Sequence, residues 1–257
     1  MKKLLTSVSV VVMGLVLVAT ASADWQRTVA VVDTETAGQY RLQADLGLSY
    51  LQANDDAAKV TTVYAQGRFG ILENWDVTLW VPFNWVSPEV GTDEDGIGDL
   101  WVGTKLMLLN EIDYPVDLSA AVFVECPTGD DDKGLGAGNA SVYVVAAAAK
   151  TFDQFLVVGN IGGGFLGDYK VGSIDIDRKN IFMYGVEVAW MVNDVANLNL
   201  ALEGATKELE GMDGEIYVTV GGQCIFMENW QVTGDVSWGL SDDSADWIVD
   251  GKISYMF

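Results

Sequence analysis

From residue 39 to residue 257 the side chains alternate apolar and polar with a period of two. That pattern belongs to strands with one greasy and one wet face. In the first segment Tyr40, Leu42, Ala44, Leu46, Leu48 and Tyr50 share one face, and Arg41, Gln43, Asp45, Gly47 and Ser49 the other. Twelve segments are read this way: residues 39–52, 59–72, 75–86, 98–109, 116–126, 140–151, 155–166, 180–192, 197–206, 215–226, 230–240 and 247–257. The sixth and seventh are the plainest, because Val142 to Ala149 is apolar on both faces and Gly162, Gly163 and Gly164 present no face. Connections after odd-numbered segments are long and those after even-numbered segments short. Leu72-Glu73-Asn74-Trp75 is echoed by Met227-Glu228-Asn229-Trp230, two short turns each followed by a Trp.

An even number of antiparallel strands, with short turns on one rim and long loops on the other, is the layout of a transmembrane barrel. A soluble sandwich alternates as well, but aromatic spacing separates the two. Tyr40 and Tyr50, Trp75 and Trp85, and Trp247 and Phe257 stand ten positions apart on the apolar face. Ten residues on a strand tilted by ~40° span roughly 25 Å, the height of a lipid-facing band between aromatic girdles. The longest apolar run after residue 23 has eight residues, against the ~20 of a spanning helix. A closed barrel is the other structure that satisfies its backbone inside lipid. Phe257, with Tyr255 and Ile253 behind it, resembles the terminal signal read by the outer-membrane assembly machinery. Lys2 and Lys3, the apolar stretch 4–19 and Ala21-Ser22-Ala23 read as a secretory signal peptide. The expectation is an all-β chain: a single antiparallel up-and-down transmembrane β-barrel of about 12 strands over residues 39–257. It is preceded by a cleaved signal peptide (residues 1–23) and by residues 24–38 as a periplasmic leader or a lumen plug. The expected location is the outer membrane of a Gram-negative bacterium, reached through the periplasm, with the lipid bilayer as partner and a monomer as the unit.

The chain carries 14 basic and 37 acidic residues, a net charge of −23, and no His. The acidic balance excludes a binder of nucleic-acid phosphates. The missing His excludes Ser-His-Asp chemistry and His-containing zinc sites. No catalytic residue, metal or cofactor is expected. Asp93-Glu94-Asp95-Gly96 resembles the start of a calcium loop but lacks the closing Glu, so solvated loop acids are the reading there. Twelve tilted strands enclose a backbone diameter of roughly 24 Å and leave a passage of about 10 Å. The inward parity holds Tyr64, Trp80, Trp101, Phe123, Tyr143 and Tyr217, rings that either stack solutes or fill the lumen. It also holds Asp45, Arg68, Lys105, Glu187, Glu203, Asp235 and Lys252 at similar height. These form a belt that is either structural ion pairing or a selectivity ring. Arg68 and Lys252 are expected to flank Asp45, and Lys252 to reach Asp235. With acids in excess, a conducting lumen would prefer cations weakly.

Two stretches carry a family resemblance. Gly96-Ile97-Gly98-Asp99-Leu100 followed by Gly103-Thr104-Lys105, and Pro127-Thr128-Gly129 followed by a Gly-rich stretch to Asn139, resemble motifs of the outer-membrane barrels named for the MetA pathway of phenol degradation. The resemblance implies a transporter that takes up hydrophobic or aromatic small molecules across the outer membrane; with no energy-coupling motif and no His in the sequence, the expectation is a passive channel and not an enzyme. The alternative is a closed structural or adhesive barrel whose acidic loops bind a partner or divalent cations.

Overall fold

The computed structural model describes residues 29–54, 58–89, 91–171 and 174–257; the expected signal peptide and residues 24–28 lie outside them. Strict alternation fixes strand register, because a one-residue slip would turn every polar side chain toward lipid. The strands are β1 (Leu42–Gln52), β2 (Ala58–Leu72), β3 (Trp75–Pro88), β4 (Glu94–Ile97), β5 (Leu100–Leu109), β6 (Asp117–Cys126), β7 (Ser141–Phe152), β8 (Phe155–Phe165), β9 (Tyr169–Val171), β10 (Ile174–Ile176), β11 (Ile181–Asn193), β12 (Ala196–Ala205), β13 (Glu215–Met227), β14 (Trp230–Gly239) and β15 (Trp247–Met256). All except β4, β9 and β10 form one closed, twelve-stranded antiparallel barrel. The β1–β15 pairing closes the seam, with Gln43 opposite Met256 and Gln52 opposite Trp247.

Burial settles which face is outside. Leu46 is 58% exposed while its neighbour Asp45 is 5% exposed. The same inversion holds around the ring: Ile161, Leu200 and Val220 are exposed, and Ser119, Glu187 and Thr219 are buried. Apolar side chains outward and polar ones inward is stable when the surroundings are acyl chains. Aromatic rings gather at both rims. Tyr50 stacks on Trp247 at 5.0 Å on the long-loop rim. Trp230, Tyr255 and Phe257 form a chain of contacts at 4.7 and 4.6 Å on the short-turn rim.

Three local features depart from strict alternation. Tyr40 has a φ of 59°, in the left-handed region, so the first strand starts at Leu42 and not at residue 39. Residues 94–97, read as loop, form β4 on the upper end of β3, pairing Phe83 with Ile97 and Val86 with Glu94. The stretch 167–179, also read as loop, contains the β9–β10 hairpin. The echoed turns are built alike. In each, the register slips by one residue just before the turn, and Leu72 faces Trp75 as Met227 faces Trp230. A bulge of this kind tightens the local twist and lets a two-residue turn close the hairpin.

Candidate functional site: the barrel lumen

The inner wall near the short-turn rim is engaged by residues 29–38. Val29-Ala30-Val31 brings three consecutive backbone N–H groups to the Glu187 carboxylate, at 2.8, 3.0 and 3.1 Å. Asn199 Nδ2 donates to the same carboxylate. Val31 packs in an apolar patch of Ala149, Leu156, Val158 and Ala189. β7 and β8 supply Ala149, Leu156 and Val158 to this patch, so near the short-turn rim their inner face receives an apolar side chain. Farther along, Asp33 pairs with Lys105 at 2.5 Å. Arg68 Nη1 donates to the Glu35 carbonyl at 3.5 Å, Thr36 Oγ1 to the Glu73 carbonyl at 2.6 Å, and the Ala37 N–H to Asp76 at 3.2 Å. Around the ring, β2 and β3 lie half a circumference from β11 and β12. The segment therefore crosses the lumen from wall to opposite wall.

The belt residues divide between that segment and open space. Arg68, Lys105 and Glu187 are occupied by residues 29–37 as described. Between Arg68 and Asp45 the structure interposes Gln43, which accepts from Arg68 Nη2 and donates to Asp45, both at 2.8 Å. The ion pair of Arg68 is with Asp76, at 3.9 Å. Glu203, Asp235 and Lys252 line a cavity of ≈ 290 Å³ above residues 29 and 30, together with Tyr64, Thr233 and Asp250. A second cavity of ≈ 330 Å³ shares Ala30, Glu203 and Ile248 with the first and extends toward Val145 and Tyr217.

The six inward rings are half-buried on the wall, and four of them touch in sequence. Tyr64 to Trp80 is 5.6 Å, Trp80 to Trp101 is 6.5 Å and edge-on, and Trp101 to Tyr143 is 4.9 Å and stacked. This arc covers β2, β3, β5 and β7. The Tyr64 ring lies over Gly47 on the adjacent strand, where a Cβ would sit 2.1 Å from the ring. A side chain at residue 47 would lift Tyr64 into the passage. Phe123 covers Gly103 in the same way. Tyr217 stands apart from the arc and accepts from the Ala245 N–H at 2.9 Å, holding the last long loop against the wall.

At the long-loop rim, Asp99 turns inward at the break between β4 and β5. Its carboxylate accepts from Thr128, Gly129 and Ala137 N–H groups at 2.9, 2.8 and 2.7 Å. Leu135 and Ala137 are buried, so the loop after β6 folds into the mouth. At Gly129 a Cβ would stand 2.4 Å from the Leu135 carbonyl oxygen, which requires glycine there. The Gly98-Asp99 and Pro127-Thr128-Gly129 stretches are thus two halves of one device. Asp99→Ala removes three charge-assisted hydrogen bonds. Amide exchange at Thr128, Gly129 and Ala137 is expected to accelerate at least about tenfold, and unchanged exchange would contradict this role.

Sequence reasoning did not single out a second contact group at this rim. Arg178 lies 4.0 Å above the Tyr169 ring and pairs with Glu208 at 3.0 Å. Tyr169 donates to Glu208 at 3.1 Å. Burial pushes the Tyr169 phenol up, and the Glu208 carboxylate adds to the shift, so the hydroxyl stays a donor. These residues sit in loops with no period to reveal them. Ile253, Tyr255 and Phe257 are at the outer seam, where the Phe257 N–H donates to the Leu42 carbonyl at 2.8 Å.

An outward apolar band, aromatic girdles and a polar, ring-lined lumen define a porin-like outer-membrane β-barrel. Solved structures share this fold. An outer membrane channel from Pseudomonas putida F1 is 16% identical, with a TM-score of 0.75 over 90% of this chain and 100% of that one. A KdgM porin in complex with disordered oligogalacturonate is 10% identical, with a TM-score of 0.56 over 84% and 99%. The translocator domain of the autotransporter NalP from Neisseria meningitidis is 13% identical, with a TM-score of 0.51 over 84% and 88%. Comparison with curated proteins found no match. The chain belongs to the family described as "Putative MetA-pathway of phenol degradation", whose sequence model matches residues 26–257.

Proposed function

We propose that this chain is a passive, monomeric outer-membrane channel for small hydrophobic or aromatic solutes. It is not an enzyme, it reaches the Gram-negative outer membrane through the periplasm, and residues 29–38 serve as a plug in its lumen. The observation that carries this reading is the arc Tyr64–Trp80–Trp101–Tyr143 facing a wall of Glu203, Asp235 and Asp250. Ring contacts of about 0.5–1.5 kcal/mol each hold an aromatic solute briefly and release it again. The likeness to an outer membrane channel and to a porin supports the same reading. The acidic wall disfavours a polyanion such as the oligogalacturonate held by that porin. Ile253, Tyr255 and Phe257 are the residues we assign to recognition by the assembly machinery, because Ile253 and Phe257 are exposed at the seam with the half-buried Tyr255 between them.

A second reading keeps the barrel closed, as a structural or adhesive element with acidic loops facing outward. The crossing of the lumen by residues 29–38 favours it. Proteoliposomes decide. The channel reading expects an aryl glucoside to permeate several-fold faster than a disaccharide of like size, and reversal potentials that favour cations. Exclusion of both solutes, with and without residues 24–37, would reject a channel. An anion-selective current would reject the charge assignment.

A further inference from the structure

The cavity above residues 29 and 30 has a composition that a neutral aromatic solute leaves unexplained. Three acidic side chains, Glu203, Asp235 and Asp250, line ≈ 290 Å³ of space against one basic side chain, Lys252. Two acids are in excess. Of the nearby lumenal acids, Asp45 is engaged by Gln43 and Glu187 by residues 29–31 and Asn199, whereas Glu203 and Asp250 each meet a single hydroxyl, of Thr219 and Ser49. Thr233 faces the same cavity, is 4% exposed, and its Oγ1 has no hydrogen-bond partner among the described residues. A buried hydroxyl left without a partner is destabilising. Its oxygen can accept a hydrogen bond from whatever fills the space. Tyr64 offers a ring face at the cavity edge, continuous with Trp80.

Among the described residues no three acidic side chains converge closely enough to hold a metal ion. The carboxylates surround a volume instead of a point, which suits a cation of several heavy atoms. We infer that this cavity is a binding site for a small organic ammonium ion, with Glu203, Asp235 and Asp250 around the charge, Thr233 accepting from the N–H and Tyr64 contacting the apolar part. Carboxylates set opposite a π face recognise ammonium groups by charge and by cation–π attraction. Lys252 is the cation already present, and a ligand competes with it. The inference rests on the channel reading for its access route and narrows the solute class to cationic amines.

Calorimetry on the detergent-solubilised full mature chain tests it with benzylammonium, benzyl alcohol and benzoate as probes. Saturable benzylammonium binding is expected, at least about tenfold tighter than either of the other two. Asp235→Asn and Thr233→Val should each weaken it several-fold. Lys252→Met should tighten it, a gain that a merely structural lysine would not produce; far-UV circular dichroism and heat-modifiable migration confirm that each variant is folded. Equal binding of the three probes, no binding of benzylammonium, or no gain in Lys252→Met would overturn the site. Benzylammonium binding without solute flux in proteoliposomes would sink the channel reading and leave the site standing. Flux without binding would do the reverse.

Discussion

Deleting residues 24–37 is expected to raise single-channel conductance at least about tenfold, because the crossing segment occupies the passage of about 10 Å that a twelve-stranded barrel leaves. The ring of strand pairings does not use these residues, since β1 starts at Leu42 and pairs with β2 and β15 through its own backbone. The truncated chain should therefore still fold. What it loses is the Asp33–Lys105 pair, the clasp of Glu187 on three N–H groups, and Val31 in its apolar patch. Planar-bilayer recording measures the effect. Equal conductance of the full and truncated chains would mean that residues 29–38 do not limit the pore.

The second large effect is expected from Glu187→Ala. Three consecutive leader N–H groups and Asn199 converge on this one carboxylate. Each buried donor left without an acceptor costs about 1–3 kcal/mol, and water in the lumen recovers part of that. A net loss of about 3 kcal/mol in docking shifts the plugged-to-open ratio about a hundredfold. Opening frequency in bilayer recordings and protease cleavage within residues 29–36 should rise together. Glu187→Gln, which keeps an accepting oxygen but loses the charge, should fall between. An unaltered opening frequency in Glu187→Ala would remove Glu187 from the account of plugging.

The barrel was legible because alternation is a local property that survives folding unchanged. Leu46 and Asp45 can be sorted to opposite faces without knowing any neighbour, and the strand pairings keep that sorting. Short-turn positions were legible for the same reason, down to the shared Leu72/Trp75 and Met227/Trp230 geometry. Contacts across the lumen were not. Parity assigns six rings to the inward face, but which of them touch depends on register: Tyr64, Trp80, Trp101 and Tyr143 meet, whereas Phe123 covers Gly103 and Tyr217 holds a loop. Asp33 and Glu35 sit in a segment without period, so nothing local marks their partners as Lys105 and Arg68. The apolar run Val142 to Ala149 looked like a weak strand, and only its last residue, Ala149, is accounted for by the patch that holds Val31. Arg178 and Tyr169 meet because a hairpin folds over the mouth, a tertiary event that loop composition does not encode.

The orientation of the wall underlies every functional statement, and neighbouring positions on β1 test it. In a chain carrying Cys126→Ala and Cys224→Ala, single cysteines at Leu48 and Ser49 can be labelled with bimane and reconstituted with brominated lipid. Leu48 lies on the exposed apolar face and Ser49 on the opposite one. Strong quenching at residue 48 and little at residue 49 is the predicted result. Equal quenching at both, or the reverse order, would mean that acyl chains do not meet the apolar face.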